Sequence, residues 1–468
     1  MSEPIPRLSA NTREYVGSTA FDNDKLDRKQ LAEKLTGYLE RLNDGAVLAI
    51  DAPWGEGKTW FGRNWNKDLN EKDFKTIYID SFEQDYIEDP FILITSEILN
   101  VLKEDEADNI EELKRSGVEV AKRLLPIGVK ASVNLLGRFV GSSDLVGEIK
   151  GAFEPSGDDA SDTQSTDDVG EAVEAGEKVA LDLTNKWISD KLDGFVNDKI
   201  VMSEFKNQLQ TYAESKDKPL VIFIDELDRC KPTFAVNLIE RIKHFFDIPN
   251  IVFVLLLNKE QLENAVQGVY GSNTDASKYL DKFVNFYFKL PKHDITEHTS
   301  SQKITAFIDT SLSQYNFSKS RENDNFRDWM KSWTSYFGLS LRDIEKCISL
   351  YAFAYPLSDD VRYLLTYFIV VKVKNITLYN GLVNNDLEAH KQAVDMLNEF
   401  KNEAERKNDT TFRDRVLPTF IEWHQAHISN FTEVGENFRK LDIESMWGTD
   451  KKDYFKSFAK RIDIDIER

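Results

Sequence analysis

The chain has 468 residues, of which 41% are apolar and 12% aromatic, ample for packed cores in two or three domains, and this composition excludes a disordered protein. The formal net charge of −21 argues against a general nucleic-acid binder, because a duplex is repelled unless a local basic patch overrides that field. The two cysteines, Cys230 and Cys347, lack metal-like spacing, so we expect reduced thiols in a cytoplasmic protein.

Neither a signal peptide nor a membrane span is expected. The start, M-S-E-P-I-P-R-L-S-A, has no basic region followed by an apolar core. A membrane-spanning helix needs about 20 largely uncharged apolar residues. The longest candidates, Ile251 to Leu257 and Phe368 to Val371, are far shorter.

The first helix is predicted within the stretch that begins F-D-N-D-K-L-D-R-K-Q-L-A-E-K-L, where Asp22 or Asp24 is placed to cap it. A strand, a glycine loop and a helix follow. Ala46 to Ile50 is the apolar run of a buried strand, and Trp60, Phe61 and Trp65 recur at roughly helical spacing.

The loop between them, A-P-W-G-E-G-K-T, matches the phosphate-binding pattern G-x-x-x-x-G-K-S/T except at Ala52. Gly55 and Gly57 make the turn that faces the phosphates, so this departure is tolerable. In such a loop, backbone N–H groups and a helix N-terminus surround the anion. Lys58 reaches the outer phosphates and the Thr59 hydroxyl ligates Mg²⁺. The residues assigned to nucleotide binding here are Trp54, Gly55, Glu56, Gly57, Lys58, Thr59 and Trp60.

A helix just ahead of a phosphate-loop strand often packs beside the nucleotide base, and Arg28 is the candidate there; a solvated surface arginine is the alternative. The alternation from Phe74 to Ile79 predicts a second strand that ends at Asp80, either a catalytic acid at a strand end or a loop cap. A third helix is predicted from Pro90.

Residues 104–200 read as an insertion into the nucleotide-binding core. Two helical stretches, Ile110 to Phe153 and Val169 to Asn197, flank the acidic segment P-S-G-D-D-A-S-D-T-Q-S-T-D-D. Its composition predicts a disordered loop over 154–168, because it contains too little apolar surface to order itself.

The core resumes at a buried strand from Leu220 to Ile224, which ends in Asp225 and Glu226. An acidic pair at such a strand end, downstream of a phosphate loop, predicts that Asp225 holds Mg²⁺ and Glu226 orients or deprotonates the attacking water. The next strand, I-V-F-V-L-L-L, is followed by Asn258, which either senses the terminal phosphate, caps the helix that starts at Lys259, or does both.

A last core strand ends at Pro291, and the remainder reads as helical. Ser340 is predicted to cap a helix whose first turn holds Arg342, either a second nucleotide sensor or a surface arginine. His424 and His427 are too few for a metal site and are predicted to be structural or exposed.

Five segments together resemble the KAP family of P-loop NTPases: A-P-W-G-E-G-K-T, F-I-D-E-L-D-R-C-K-P, E-R-I-K-H-F-F, F-V-L-L-L-N-K-E-Q-L and G-L-S-L-R-D-I-E-K. The resemblance spans about Asp22 to Leu350 and implies an ATP-binding domain whose water-activating acid follows the Walker B aspartate. It assigns the site residues as phosphate and Mg²⁺ ligands (Lys58, Thr59), Mg²⁺ acid (Asp225), catalytic acid (Glu226) and residues that shape the site (Asp228, Arg229).

Many members of that family carry transmembrane helices between the Walker motifs, whereas this position here holds charged helices. The soluble bacterial branch, which includes proteins implicated in excluding phage, is therefore the closer comparison. No N-K-x-D guanine motif follows a core strand, since Gln261 stands where the aspartate would be, and this favours ATP.

The predicted fold class is α/β: a P-loop NTPase with a parallel sheet flanked by helices, a helical insertion between Walker A and Walker B, and a C-terminal all-helical domain. The expected domains are two halves of the NTPase core (1–103 and 201–291), the insertion (104–200) and the helical lid with C-terminal domain (292–468).

The leading functional hypothesis is a Mg²⁺-dependent ATPase whose cycle drives a conformational or assembly change in a homo-oligomer, with Arg229, Arg342 or an arginine of another subunit stabilising the transferring phosphate. The alternative is a nucleotide-gated scaffold that grips an unidentified protein partner, with slow hydrolysis. ATP-dependent phosphate transfer to another substrate is a third reading, for which the sequence offers no acceptor base.

Overall fold

In the computed structural model, the described residues between 46 and 289 include five strands that form one parallel sheet. The strand order is β2-β3-β4-β1-β5, which confirms the predicted α/β class. The strands are β1 Ala46–Asp51, β2 Thr76–Asp80, β3 Leu220–Asp225, β4 Ile251–Leu257 and β5 Phe286–Lys289. The described residues are 16–22, 24–42, 44–85, 90–102, 110–124, 200–245, 248–291, 298–315, 317, 321–354, 359–410, 414, 416–439 and 453–463.

The central strands are apolar because both of their faces are covered. Every residue of β3 and β4 is buried, as the uninterrupted apolar runs predicted. The register pairs Asp51 with Leu257 and Asp80 with Asp225. Since the strands are parallel, the acidic residues that end β1, β2 and β3 lie along one edge of the sheet.

One helix precedes these strands and the others lie between them. They are α1 Lys29–Leu39, α2 Lys58–Glu71, α3 Pro90–Leu102, α4 Ile110–Leu124, α5 over 200–214, α6 Pro232–Ile242, α7 Lys259–Tyr270 and α8 Ala276–Leu280. Of the two candidate caps for α1, it is Asp24 that takes part, since its Oδ2 accepts a hydrogen bond from the first helical amide, Lys29 N, at 2.8 Å.

Within the predicted insertion, 104–200, the structure describes helix α4, which covers the first part of the predicted helical stretch from Ile110 to Phe153, and residue 200. Residues 125–153 of that stretch lie outside the described residues. The acidic segment 154–168 and the predicted helical stretch from Val169 to Asn197 lie outside the described residues. The predicted disorder of that segment therefore stays a prediction.

Helix α2 packs tightly against the sheet. Trp65 is fully buried, meets Phe223 edge to face at 5.4 Å between ring centroids, and donates from Nε1 to the Thr36 hydroxyl at 3.0 Å. One turn earlier stands Gly62, where an ideal Cβ would lie 2.1 Å from the Cδ1 atom of the buried Leu256. The absence of a side chain at Gly62 allows this close approach of helix and strand.

Gly62→Ala is therefore expected to destabilise the protein, although alanine is the better helix former. Overpacking a close-packed interior costs about 1–3 kcal/mol, whereas the gain in helix propensity is about 1 kcal/mol. Gly37→Ala in α1 is the matched control, since an added Cβ there meets no atom within 4 Å. Thermal unfolding should show a lower melting temperature for the first variant and a higher one for the second. Equal shifts would contradict the account of Gly62.

The remainder of the chain is helical over the described residues, as predicted. The helices are α9 His298–Ser313, α10 Arg321–Phe337, α11 Leu341–Ala354, α12 Asp359–Lys374, α13 Ile376–Val383, α14 Leu387–Arg406, α15 Leu417–Ile428, α16 Glu436–Arg439 and α17 Tyr454–Ile462. No helix in the described ranges combines the length and apolar character needed to cross a membrane. Cys230 and Cys347 are both buried free thiols.

The chain forms two compact units. The sheet unit comprises Leu31–Ala52 and Phe61–Leu290, and its core lies on the sheet and the helices that cover it. The helical unit comprises Met1–Gln30, Pro53–Trp60 and Pro291–Arg468, and its core is formed mainly by the C-terminal helices. The glycine loop of Pro53–Trp60 thus groups with the helical unit.

A cluster of three histidines lies inside the helical unit. His390 of α14 and His424 of α15 face each other with 2.9 Å between their Nδ1 atoms, and the Tyr367 hydroxyl lies 2.9 Å from His424 Nε2. His427 stacks on His390 with 4.2 Å between ring centroids. Across the described ranges, no group of three or more histidine, cysteine or acidic side chains is arranged to hold a metal ion.

Candidate functional site

The glycine loop has the backbone conformation that its sequence predicted. Strand β1 ends at Asp51 and helix α2 begins at Lys58. Gly55 and Gly57 between them have φ of +85° and +76°, a left-handed conformation that glycine adopts without a steric penalty. A side chain at either position would be strained. The strand, loop and helix order is that of an anion-binding turn.

The loop is held by the start of helix α11. The amide of Arg342 donates to the Gly55 carbonyl at 3.2 Å, and an ideal Cβ on Gly55 would lie only 2.6 Å from Ser340 Oγ. Ser340 caps the helix as predicted: its Oγ accepts from Asp343 N at 3.2 Å, while its own amide donates to Asp343 Oδ2 at 3.1 Å. The backbone of Arg342 therefore touches the loop, and its side chain is exposed.

Arg28 also reaches the loop. Its Nη1 donates to the Gly57 carbonyl at 3.2 Å, and the side chain is only 2% exposed. Within the described residues, its Nε and Nη2 atoms are buried without a hydrogen-bond partner. Burial lowers the pKa of the guanidinium to about 10, although the charges of Glu56 and Asp24 oppose this shift. The solvated-arginine alternative is therefore wrong, because a buried cation with unmet donors stands beside the loop.

The other loop residues differ in exposure. Lys58 is 8% exposed and its Nζ donates to the Pro53 carbonyl at 3.4 Å, so the ammonium is folded onto the loop. Glu56 is likewise buried, whereas Trp54 is 46% exposed. Trp60 meets Phe21 edge to face with centroids 5.8 Å apart, and Thr59 is half-buried at the second position of α2.

In the sheet unit, the candidate magnesium acid is part of a hydrogen-bonded group. Asp225 is 1% exposed; its Oδ2 accepts from the Tyr78 hydroxyl at 2.8 Å, and its Oδ1 accepts from the Glu226 amide at 2.8 Å. Burial and the nearby Asp225 carboxylate raise the pKa of Tyr78 well above its usual value, so the hydroxyl is protonated and donates.

Sequence reasoning missed Tyr78 and its neighbour Arg63. The Arg63 guanidinium lies over the Tyr78 ring, 4.8 Å from its centroid, and 3.9 Å from Asp80 Oδ2. The available signal was a polar-tipped residue two positions before the end of β2, on the same face of the strand as Asp80. Asp80 Oδ1 accepts from Glu83 N at 3.3 Å, which agrees with its reading as a loop cap.

Glu226 directly follows β3 in a strained conformation. Its φ of +58° is left-handed, which is uncommon for a residue with a side chain. Burial raises the pKa of its carboxyl, and Arg229 opposes this shift through an ion pair of 2.8 Å between Nη1 and Oε1. Asp225, Glu226 and Arg229 are thus brought together at the end of one strand.

Asn258 is buried at the end of β4, but its side chain does not cap α7. Asp51 performs that function instead, because its Oδ1 accepts from Lys259 N, the first helical amide, at 2.9 Å. Asn258 therefore occupies the N-cap position of α7, as the sequence predicted, but the capping side chain is that of Asp51. The role of Asn258 as a phosphate sensor stays a prediction.

These geometries define what each group can do chemically. The loop presents two left-handed glycines, a helix N-terminus, Lys58 and the unmet donors of Arg28, which together suit a multiply charged anion. The end of β3 presents two adjacent carboxylates, one buried and hydrogen-bonded and the other half-buried with a raised pKa. Carboxylate oxygens suit a hard cation, and a raised pKa suits a group that accepts a proton.

Two known proteins are similar to this chain at low identity. One is the Phage T7 exclusion protein of Escherichia coli strain K12, 23% identical over 205 residues that make up 42% of this chain. The chain spans only 27% of that relative's length. The other is the solved structure of the Aeropyrum pernix ORC2 protein in ADPNP and ADP complexes, with 9% identity, a TM-score of 0.36, and coverage of 89% of this chain and 88% of that one. The second likeness is too distant to carry further argument.

The family comparison covers far more of the chain. The KAP family P-loop domain matches residues 28–357, well over half of the sequence. The match includes the glycine loop, both Walker strands and the start of helix α11, and Arg28 is its first residue. The parallel sheet and the left-handed glycines agree with it. The chain belongs to the KAP family of P-loop NTPases.

Proposed function

We propose that this protein binds and hydrolyses ATP with Mg²⁺, and that the cycle drives a conformational or assembly change. The observation that carries the proposal is the loop between β1 and α2, in which two left-handed glycines precede a helix that begins at Lys58. In a P-loop NTPase, such a loop surrounds the phosphates of a nucleotide. The acidic end of β3 supplies the second requirement, a metal-binding and water-activating pair.

Each residue has a proposed role. Lys58 binds the outer phosphates, and Glu226 accepts the proton of the attacking water, for which its raised pKa is suited. The hydroxyl of Thr59 and the carboxylate of Asp225 are hard oxygen ligands of the kind that Mg²⁺ takes, so the residues present fit this ion. Bound Mg²⁺ would neutralise phosphate charge during transfer. Arg229, Arg342 and Asn258 are proposed to stabilise or sense the transferring phosphate.

The remaining loop residues are proposed to hold the rest of the nucleotide. Arg28 has two buried donor atoms without partners in the described part of the chain, and a nucleotide would supply acceptors for them. The exposed ring of Trp54 offers a stacking surface. Gly55, Glu56, Gly57 and Trp60 complete the loop that is proposed to contact ATP.

Lys58→Ala is expected to weaken ATP binding by about 10- to 150-fold, because a charge-assisted hydrogen bond contributes about 1.5–3 kcal/mol. Titration of a fluorescent ATP analogue into the purified protein measures this, with unlabelled ATP and GTP as competitors. Lys67→Ala is the control, since Lys67 lies on the same helix and pairs with Glu71 at 3.9 Å. Absence of nucleotide binding by the wild type, or equal loss in both variants, would contradict the proposal.

A nucleotide-gated scaffold is the second candidate, and the ion pair between Arg229 and Glu226 favours it. The pair engages Oε1 of Glu226, so hydrolysis would be slow until it opens and that oxygen can accept a proton. Tight ATP binding with turnover that is negligible on the minute timescale would support this candidate over a motor. Deletion of 154–168 should then weaken capture of a protein partner without altering ATP affinity.

The name of the Escherichia coli relative suggests a setting for either candidate. We propose that the protein acts in the cytoplasm as a homo-oligomer in defence against phage. Phage T7 should form plaques less efficiently on cells that express the wild type than on cells that express Lys58→Ala at the same level. Equal plating would remove the defence proposal while leaving the ATPase proposal intact.

A further inference from the structure

Tyr78 lies in a position that connects two strand ends of the sheet. It stands opposite Phe223 in the register of β2 and β3, two residues before Asp225 on the neighbouring strand. Because side chains alternate along a strand, Phe223 and Asp225 share one face of β3. The Tyr78 ring stacks on Phe223 with centroids 5.7 Å apart and planes 19° apart. Its hydroxyl thereby reaches Asp225.

The tyrosine is held on several sides. Phe223 covers one side of the ring, and the Arg63 guanidinium lies 4.8 Å from the ring centroid. Arg63 is itself within 3.9 Å of the Asp80 carboxylate. An ideal Cβ on Gly62 would lie 3.3 Å from the Tyr78 hydroxyl, so the glycine leaves room for that group. Such packing fixes the hydroxyl and allows it to impose a direction on its acceptor.

The acceptor is the buried carboxylate of Asp225. Its Oδ2 accepts a hydrogen bond from the Tyr78 hydroxyl and its Oδ1 accepts one from the Glu226 amide, both at 2.8 Å. A carboxylate offers about four lone-pair sites, more than these two hydrogen bonds use. With a donor on each oxygen, the plane of the carboxylate is set before any cation arrives.

We propose that Tyr78 is a positioning residue for magnesium: its hydroxyl orients the Asp225 carboxylate so that the carboxylate faces the ion or its water shell. The inference rests on the proposed function, since it concerns the metal of the same ATPase site. Tyr78 lies on β2, whereas the Walker motifs follow β1 and end β3. Groups that orient a metal ligand typically change metal affinity by about 10- to 100-fold when they are removed.

The test is the Mg²⁺ dependence of nucleotide binding, which does not require turnover. A fluorescent ATP analogue is titrated into wild type and Tyr78→Phe at a series of free Mg²⁺ concentrations, with an EDTA series as the metal-free reference. Tyr78→Phe should raise the half-saturating Mg²⁺ concentration about tenfold and leave metal-free binding unchanged. In an Asp225→Asn background, the same tyrosine change should alter it by less than about twofold.

Tyr287→Phe is the matched control. Tyr287 lies on β5 of the same sheet, and its buried hydroxyl has no hydrogen-bond partner among the described residues. Its removal should leave the Mg²⁺ dependence as in the wild type. Melting temperatures of all variants separate a general loss of stability from a loss of metal affinity.

The outcomes are distinguishable. If the wild type shows Mg²⁺-enhanced binding and Tyr78→Phe has the same half-saturating Mg²⁺ concentration, or a lower one, the positioning role is overturned while the proposed function stands. A lower melting temperature without a shift in Mg²⁺ dependence also overturns it and leaves Tyr78 a structural residue. If the wild type binds no nucleotide, the proposed function itself fails and the inference fails with it.

Discussion

Glu226→Gln is expected to lower ATP turnover by about 100- to 10,000-fold, the usual range for removal of a general base, while ATP binding is retained. Glutamine has nearly the shape of glutamate but cannot accept the proton of the attacking water. The structure supports this choice, because Glu226 follows β3 directly and burial raises the pKa of its carboxyl. Phosphate release and ATP affinity, measured on the same protein, separate the two effects.

Glu214→Gln is the control for that experiment. Glu214 is an exposed residue of α5 in the same unit, and Glu214→Gln makes the same chemical change outside the acidic pair of Asp225 and Glu226. Its turnover should match the wild type. Wild-type turnover in Glu226→Gln with ATP still bound would show that another group activates the water.

The helical unit is expected to lose stability steeply between pH 7 and pH 5 because of its histidine cluster. Burial lowers the pKa of His390 to about 4 and of His427 to about 3, and it lowers that of His424 well below its usual value. In the unfolded chain, histidine titrates near about 6.5. The unfolded state therefore binds more protons than the folded state in this window. Each histidine that stays neutral in the folded state lowers the free energy of unfolding by up to about 1.4 kcal/mol for each unit by which the pH falls.

Stability falls with falling pH because the pKa values of the three histidines are lowered in the folded state. Above about pH 6.5 the histidines are neutral in both states, so their contribution to stability is fully present. It is lost as the pH falls towards about 4. Ordinary carboxyl groups, with pKa values near 4, contribute little between pH 7 and pH 5. Thermal unfolding followed by circular dichroism at several pH values measures the slope.

His427→Phe is the informative variant. His427 stacks on His390 and meets Phe431 edge to face, so an aromatic replacement preserves ring packing while it removes one titrating group. The dependence of melting temperature on pH should become shallower by roughly one third, because one of three histidines is gone. An unchanged slope would mean that the cluster does not govern acid stability.

Much of the sheet unit was predictable from the sequence because its signals are local. The apolar runs of β1, β3 and β4 are bounded by glycine, proline, asparagine or acidic residues, and each occurs where it was expected. Gly55 and Gly57 were assigned to the phosphate turn, and both have positive φ. The capping box of Ser340 and Asp343 likewise depends on residues only three positions apart.

The details that sequence reasoning missed depend on pairs far apart in the chain. Tyr78 bonds to Asp225, which is 147 residues away, and Asp51 caps a helix that begins 208 residues later. Neither partner is marked by its local sequence, because strand register decides which residues meet. His390 and His424 likewise meet only through the packing of α14 against α15. The local sequence likewise favours Asn258 as the capping side chain, because the acceptor that caps the helix, Asp51, lies on another strand.

The central claim is that this protein hydrolyses ATP with Mg²⁺, and phosphate release by the purified wild type tests it most directly. Saturable release with MgATP that is abolished by EDTA, and that is absent from Lys58→Ala measured alongside, is the result we predict. Release that Lys58→Ala retains would point to a contaminating enzyme. Absence of both release and saturable ATP binding in the wild type would contradict the claim.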